Sequence, residues 1–373
     1  MIALNDINGG FLMTIHKRAL ILSAALLLLL TAFGCTPNDN TASTSMPAPT
    51  EAVTPTPSPT PTPVPTPQSF TLTFAGDCTF GGSEQSYSVG VSFINTVQDN
   101  YTYPFENVIE YFANDDFSMV NLEGVLADQS TAVVKKHVFR GPTHLVNVLT
   151  ENSVEAVTIA NNHTMDHGQA GYDSTIATLT QAGVTYAEQN GSFLFNTDSG
   201  LTLGVYAVSL DDLNVDKITA AISALDADPM VDIVILAAHW GIENTFKPNE
   251  QQQTIGHAAI DAGADIVFGT HPHVLQPIEE YNGGIIYYSL GNFSFGGNGS
   301  PKDYDTAFVQ QEVIREVDGT VHLGELTIIP CSISTNPHQN DFRPTPYAAD
   351  SKEYARIMSK LDGSYTGGNL PYD

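Results

Sequence analysis

The 373-residue chain carries 41 acidic and 13 basic side chains, a formal charge of −28, with 42% of its residues hydrophobic and 14% charged. So few cations exclude non-specific nucleic-acid binding, which needs Lys and Arg against the phosphates, and electrostatic adhesion to anionic lipid. Three cysteines are too few for a disulfide framework or a four-thiolate zinc site.

Residues 1–35 have the layout of a secretory signal peptide. Lys17 and Arg18 give a positive start, Ala19 to Phe33 an uncharged apolar run, and Gly34 precedes Cys35. The run is short for a bilayer span. Ending on Gly-Cys, it resembles a bacterial lipoprotein signal, in which Cys35 is the lipidated residue after cleavage; the alternative is an uncleaved helical anchor. Both readings put the remainder on the extracytoplasmic face of the bacterial cell membrane. Residues 36–67 are rich in Pro, Thr and Ser and nearly free of large apolar side chains. Such a segment cannot bury enough surface to offset its ordering entropy, so the expectation is a disordered linker, able to reach on the order of 100 Å as polyproline II.

From Phe70 onward the pattern becomes that of an α/β domain, expected over 68–335. Apolar runs at 70–77, 117–124, 155–162, 201–210, 231–240, 264–271 and 284–293 suit strands covered on both faces. Helices are expected from Pro104, with Phe105, Val108, Ile109 and Phe112 as one buried stripe, over 171–182 before Gly183, and over 249–262 before Gly263. This alternation implies a layered fold with mainly parallel strands. Residues 306–330 read as a hairpin turning at Asp318-Gly319. A C-terminal extension, 336–373, carries an amphipathic helix near 350–361.

Polar residues gather where the apolar runs end: Asp77, Glu123, Asn162-His163, His239, and His271 with His273. In open α/β sheets the C-terminal strand ends line the ligand crevice, so these groups are expected to converge. An extended backbone would turn both imidazoles of His271-Pro272-His273 to one side. Each residue alone reads equally well as a turn former, a helix cap or a core histidine. Five such run ends together point to a metal site.

The segments AGDCTFGG (75–82), NLEG (121–124), ANNHTMDHG (160–168), HWGIE (239–243), GADIVFGTHPHVLQP (263–277) and YSLGNFSF (288–295) resemble the bacterial capsule-synthesis CapA family, associated with poly-γ-glutamate, within the calcineurin-like metallophosphatase superfamily. The resemblance implies an α/β/β/α sandwich of two mixed sheets. It implies that Asp77 holds one metal, Glu123 bridges two, and Asn162, His239 and His271 hold the second, with His273 on the first or completing the set. It places His163 as the acid that protonates a leaving oxygen, with Asp166 orienting its ring. One departure concerns Thr79, which stands where the superfamily has a histidine ligand; Cys78 beside it reads as a small packed residue or a disulfide partner of Cys331.

Ligands of this oxygen and nitrogen type suit one or two divalent ions, Mn, Fe or Zn. The expected activity is metal-dependent phosphoester hydrolysis in capsule or poly-γ-glutamate synthesis or export. The alternative is a non-hydrolytic accessory protein that binds or guides an anionic cell-envelope polymer for a membrane synthase. Lys136 and Arg140, within the compact cluster 135–140, are the candidate substrate contacts, and Glu243 and Gln276 flank ligand blocks.

Overall fold

The computed structural model describes residues 65–83 and 92–370; the expected signal segment, Cys35 and the linker as far as residue 64 lie outside the described residues. The first run forms β1 (Gln68–Thr79) and the second β2 (Phe117–Leu122), followed by the short β3 (Val125–Leu126) and β4 (Arg140–Gly141). Next come β5 (Ala156–Thr158), α1 (Gly168–Ala182), β6 (Thr185–Ala187), β7 (Ser192–Asn196) and β8 (Thr202–Ser209). After them lie α2 (Val215–Asp226), β9 (Ile233–His239), α3 (Glu250–Asp261), β10 (Ile266–Thr270), β11 (Ile278–Tyr281) and β12 (Gly284–Tyr287). The chain continues through β13 (Asn292–Phe295), β14 (Asp305–Arg315), β15 (Val321–Ser332), β16 (Thr345–Pro346) and α4 (Lys352–Leu361).

One sheet runs β16-β15-β14-β1-β2-β5-β6 with β13 also on β1; the other runs β11-β12-β10-β9-β8-β7. β1, β2, β5 and β6 are parallel in the first, and β8, β9, β10 and β12 in the second, with antiparallel strands at the edges. Strand alternation sorts the apolar residues into layers. Phe70, Leu72 and Phe74 of β1 meet Ile233, Ile235 and Ala237 of β9 in the core between the sheets. The outer face of the first sheet, with Val120 and Leu122, is covered by Phe105, Phe112 and Leu179. On the second sheet, Val234 and Leu236 lie under Ile218, Ile222, Ile255 and Ala259 of α2 and α3. The result is the expected α/β/β/α sandwich of two mixed sheets.

The local signals explain the helix ends. Gly183 closes α1 at φ 75°, where a side chain would be strained. Asn249 and Gln252 form a capping box at the start of α3. Gly319, at φ 91°, turns the β14/β15 hairpin. α4 packs Ile357 and Leu361 on Leu275 and Ala307, while Arg356 and Lys360 bind Asp305 at 2.6–2.7 Å.

Three expectations are corrected. The helix from Pro104 is broken into a 3-10 turn, Tyr103–Phe105, and a short helix, Ile109–Ala113, because Val108 leaves helical geometry at φ −131°; Phe105, Val108 and Phe112 are buried nonetheless. The run 155–162 contributes only three strand residues before the chain turns into the site. The run 284–293 is two strands in different sheets: β12 belongs to the second, β13 to the first, and the chain crosses at Gly291, φ 72°. Of the two readings of Cys78, the packed residue holds: Cys78 and Cys331 are buried thiols that do not pair, both with pKa values pushed far up by burial.

The crossing makes Gly76 indispensable. The β1 ladder shifts register at Gly76, and Asp77 N–H donates to Gly291 O at 2.9 Å. A Cβ on Gly76 would lie 1.9 Å from that same oxygen, which belongs to backbone and cannot swing away. Gly76→Ala is therefore expected to lower stability by about 3 kcal/mol or more in urea denaturation. A change below about 0.5 kcal/mol would show that the two segments are not held this closely.

Candidate metal centre

The strand ends converge as the alternation of apolar runs and helices requires. Asp77 lies near the end of β1, Glu123 just past β2, His239 at the end of β9 and His271 directly after β10. The crossing into β13 sets Asn292 in register with Asp77. Asp77 and Glu123 are fully buried, His239 and His271 nearly so.

Two neighbouring sets of ligand atoms result. In the first, His273 Nδ1 lies 3.2 Å from Asp77 Oδ2, and His273 Nε2 lies 3.6 Å from Glu123 Oε1. In the second, His239 Nε2 lies 2.8 Å from Asn162 Oδ1 and 3.1 Å from His271 Nδ1. A third grouping, Glu243 with His271 and His273, brings one ligand atom of each within 4.8 Å of the others. The two histidines of the His-Pro-His segment do face one another, with ring centroids 5.9 Å apart. They do so by a turn and not by an extended strand: His271 has φ 96° and His273 φ 57°. Such backbone geometry persists only where surrounding contacts impose it.

Supporting polar groups fix these rings. Thr270 Oγ1 lies 3.0 Å from His239 Nδ1. Asn121 Nδ2 donates to Asp77 Oδ1 at 2.7 Å, and Asn161 Nδ2 donates to Asn121 Oδ1 at 3.1 Å. Asn292 Oδ1 lies 2.9 Å from His273 Nδ1. The sequence reading singled out neither Asn161 nor Asn292, although Asn292 also closes an apolar run, the signal that located the others.

The electrostatics favour a cation. Both Glu123 carboxylate oxygens are buried without a hydrogen-bond partner, and burial pushes its pKa up to about 8. Thr79 Oγ1 is likewise orphaned and shares a small void with Glu123. Burial, then neighbouring histidines, depress His239 far below the usual value and His271 to about 3, so both stay neutral and able to ligate. Burial opposes charge on His273 too, but Glu123 and hydrogen-bonded Asp77 raise it to about 10. Buried carboxylate oxygens without hydrogen bonds, in one cluster with the neutral His239 and His271 rings, are what a divalent ion would satisfy, so these residues fit a metal.

His163 stands beside this cluster. Its Nδ1 lies 2.5 Å from Asp166 Oδ2 and its Nε2 3.7 Å from Glu123 Oε1, while the ring stacks on Phe139 at 4.2 Å. Asp166 also accepts from Phe139 N–H at 2.7 Å and from Lys135 Nζ at 3.0 Å. Burial lowers the His163 pKa against the pull of Asp166. A cleft of about 110 Å³ opens over His163, His273, Glu243 and Asn292, with His137 and Lys302 at its walls. Arg140 is engaged elsewhere, its Nη1 donating to the Ala127 and Asp128 carbonyls at 2.9 and 3.0 Å, and Lys136 is exposed outside the lining.

Residues 71–297 match the family model described as bacterial capsule synthesis protein PGA_cap. The chain is 33% identical to the PGA biosynthesis protein CapA of Bacillus subtilis, over 58% of this chain and 59% of that one. It is 29% identical to the capsule biosynthesis protein CapA of Bacillus anthracis, over 79% of this chain and 74% of that one. A probable polyglutamine synthesis accessory protein of Mycobacterium tuberculosis is 29% identical over 48% of this chain and 55% of its own length. The chain thus spans less than two thirds of the first and third of these relatives.

Proposed function

The chain belongs to the PGA_cap family of bacterial capsule synthesis proteins, and on that premise we propose that it is a lipid-anchored, extracytoplasmic protein of capsule or poly-γ-glutamate synthesis with a metal-dependent phosphoesterase site. The observation that carries the chemistry is the Glu123 carboxylate, buried without a hydrogen bond and facing His163 and His273 at 3.6–3.7 Å. Asp77, Glu123 and His273 would hold one divalent ion; Asn162, His239 and His271, with Glu123, would hold a second. Bound there, Mn, Fe or Zn supplies Lewis acidity toward a phosphoryl group and an activated water.

The chain's own side chains do the rest. With Asp166 accepting from His163 Nδ1, Nε2 would pass a proton to the departing oxygen from the imidazolium form, which the Asp166 carboxylate favours and burial opposes. Lys135 and the Phe139 amide hold Asp166, and the Phe139 ring holds the imidazole plane. Lys302 offers a cationic wall, and His137 a hydrogen-bonding one, to an anionic substrate, a phosphoester or an envelope polymer, in a strongly acidic chain.

The test is metal-stripped full chain reloaded with Mn²⁺, Fe²⁺ or Zn²⁺ and assayed on a generic phosphomonoester and phosphodiester. Chelator-sensitive hydrolysis is expected, and His163→Gln should slow it about 10²–10⁴-fold while metal content stays unchanged. Loss of metal in His163→Gln would make it a ligand. Absence of hydrolysis under every metal would favour the second reading, an accessory protein guiding an anionic polymer to a membrane synthase. That reading is supported by Thr79 and by the relative described as an accessory protein.

A further inference from the structure

Glu243 is not at a strand end. It sits on the loop 241–247 that follows β9, which Gly241 (φ 85°) and Asn244 (φ 62°) bend back over the cleft. Asn244 N–H donates to Pro272 O at 2.8 Å, tying this loop to the His-Pro-His turn. The Glu243 ligand atom lies within 4.8 Å of those of His271 and His273, and no hydrogen bond or ion pair among the described residues engages its carboxylate. His273 belongs both to this grouping and to the one with Asp77 and Glu123.

The far side of the loop is covered by the C-terminal tail. Leu370 N–H donates to Asn244 O at 3.0 Å, and Phe246 N–H donates to Asn369 Oδ1 at 3.1 Å. Phe246, 5% exposed, packs edge-on against Tyr365 at 5.0 Å, and Lys360 Nζ lies 4.7 Å from the Phe246 ring centroid. Lys360 is itself anchored by Asp303 and Asp305 at 2.7 Å each. The tail therefore grips Asn244 and Phe246, the residues just after Glu243, by one backbone-to-backbone hydrogen bond, one hydrogen bond to the Asn369 side chain and a ring contact on the buried Phe246.

We propose that Glu243 is a further cation ligand of the centre, carried over it by the 241–247 loop and kept there by residues 365–370. The inference rests on the metal reading above and adds to it a closing ligand and a strap. It requires that cation retention depend on a segment more than 100 residues away in sequence, through contacts that never touch the ion.

Titration of metal-stripped full chain with Mn²⁺ or Zn²⁺ alone tests this by calorimetry, with no activity needed. Glu243→Gln keeps the side-chain shape and is expected to weaken binding at least about tenfold, the scale seen even for outer partners of a metal site. Ending the chain at Ser364 should weaken binding in the same direction by a smaller factor, and should add little in a Glu243→Gln background. Wild-type affinity in Glu243→Gln, within about twofold, would overturn the ligand assignment; an unchanged affinity in the truncated chain would overturn the strap. Failure of the wild type to bind either ion would sink the centre itself, a result distinct from both.

Discussion

Replacing His239 with alanine is expected to abolish binding of the proposed divalent ion. His239 Nε2 is the point where Asn162 and His271 meet, at 2.8 and 3.1 Å, and Thr270 with Asn121 fixes the opposite ring nitrogen. Burial keeps the ring neutral at every pH of interest, so a proton does not compete for the lone pair. Losing it removes a ligand and also leaves Asn162 and His271 without the atom that orients them. The loss should therefore exceed the roughly 10–100-fold that a supporting partner costs. Elemental analysis of the purified variant is the check. His257→Ala, on a half-buried histidine paired with Glu279 at 3.1 Å, is the control that should keep full metal content. A His239→Ala protein with wild-type metal content would place the ion elsewhere.

The layered architecture and the convergence of the polar strand ends were readable because both follow from short-range rules. Apolar runs covered on both faces make interior strands, and polar residues at their ends fall along one crevice. The capped helices ending at Gly183 and Gly263 were readable for the same reason. What escaped depends on distant chain segments. No local pattern tells that Gly291 lets one apolar run serve two sheets, since the run 284–293 is as continuous in sequence as any single strand. The His271 and His273 backbone is turned by what packs on it, although the pairing of the imidazoles was expected from spacing. Glu243 was visible only as a neighbour of His239, because its place is set by tail residues that sequence alone leaves as an extension. Arg140 shows the converse: a compact cationic cluster suggested a substrate contact, yet its guanidinium donates to two nearby carbonyls.

Glu123→Gln is expected to have opposite effects on the empty and loaded protein. In the metal-free protein the buried carboxyl has a pKa of about 8 against an ordinary value of 4.5, with burial as the main cause. Between those two pH values the folded chain keeps a proton that the unfolded chain has lost, so stability falls as pH rises through that window. His273, raised to about 10 with Glu123 as a principal cause, extends the decline in the same direction. Glutamine carries no charge to desolvate and also removes much of what raises His273. With chelator present, Glu123→Gln should therefore be more stable than wild type by on the order of 3 kcal/mol at pH 8, and nearly equal to it below pH of about 4.5. Loading with Mn²⁺ should reverse the ranking: the ion takes the place of the missing protons, so wild type gains stability, increasingly at higher pH, and the variant gains little. Urea denaturation at several pH values, with chelator and with Mn²⁺, reads both arms. If the variant were destabilised equally with and without metal, Glu123 would be a packing residue, and the two ion sites would have no carboxylate between them.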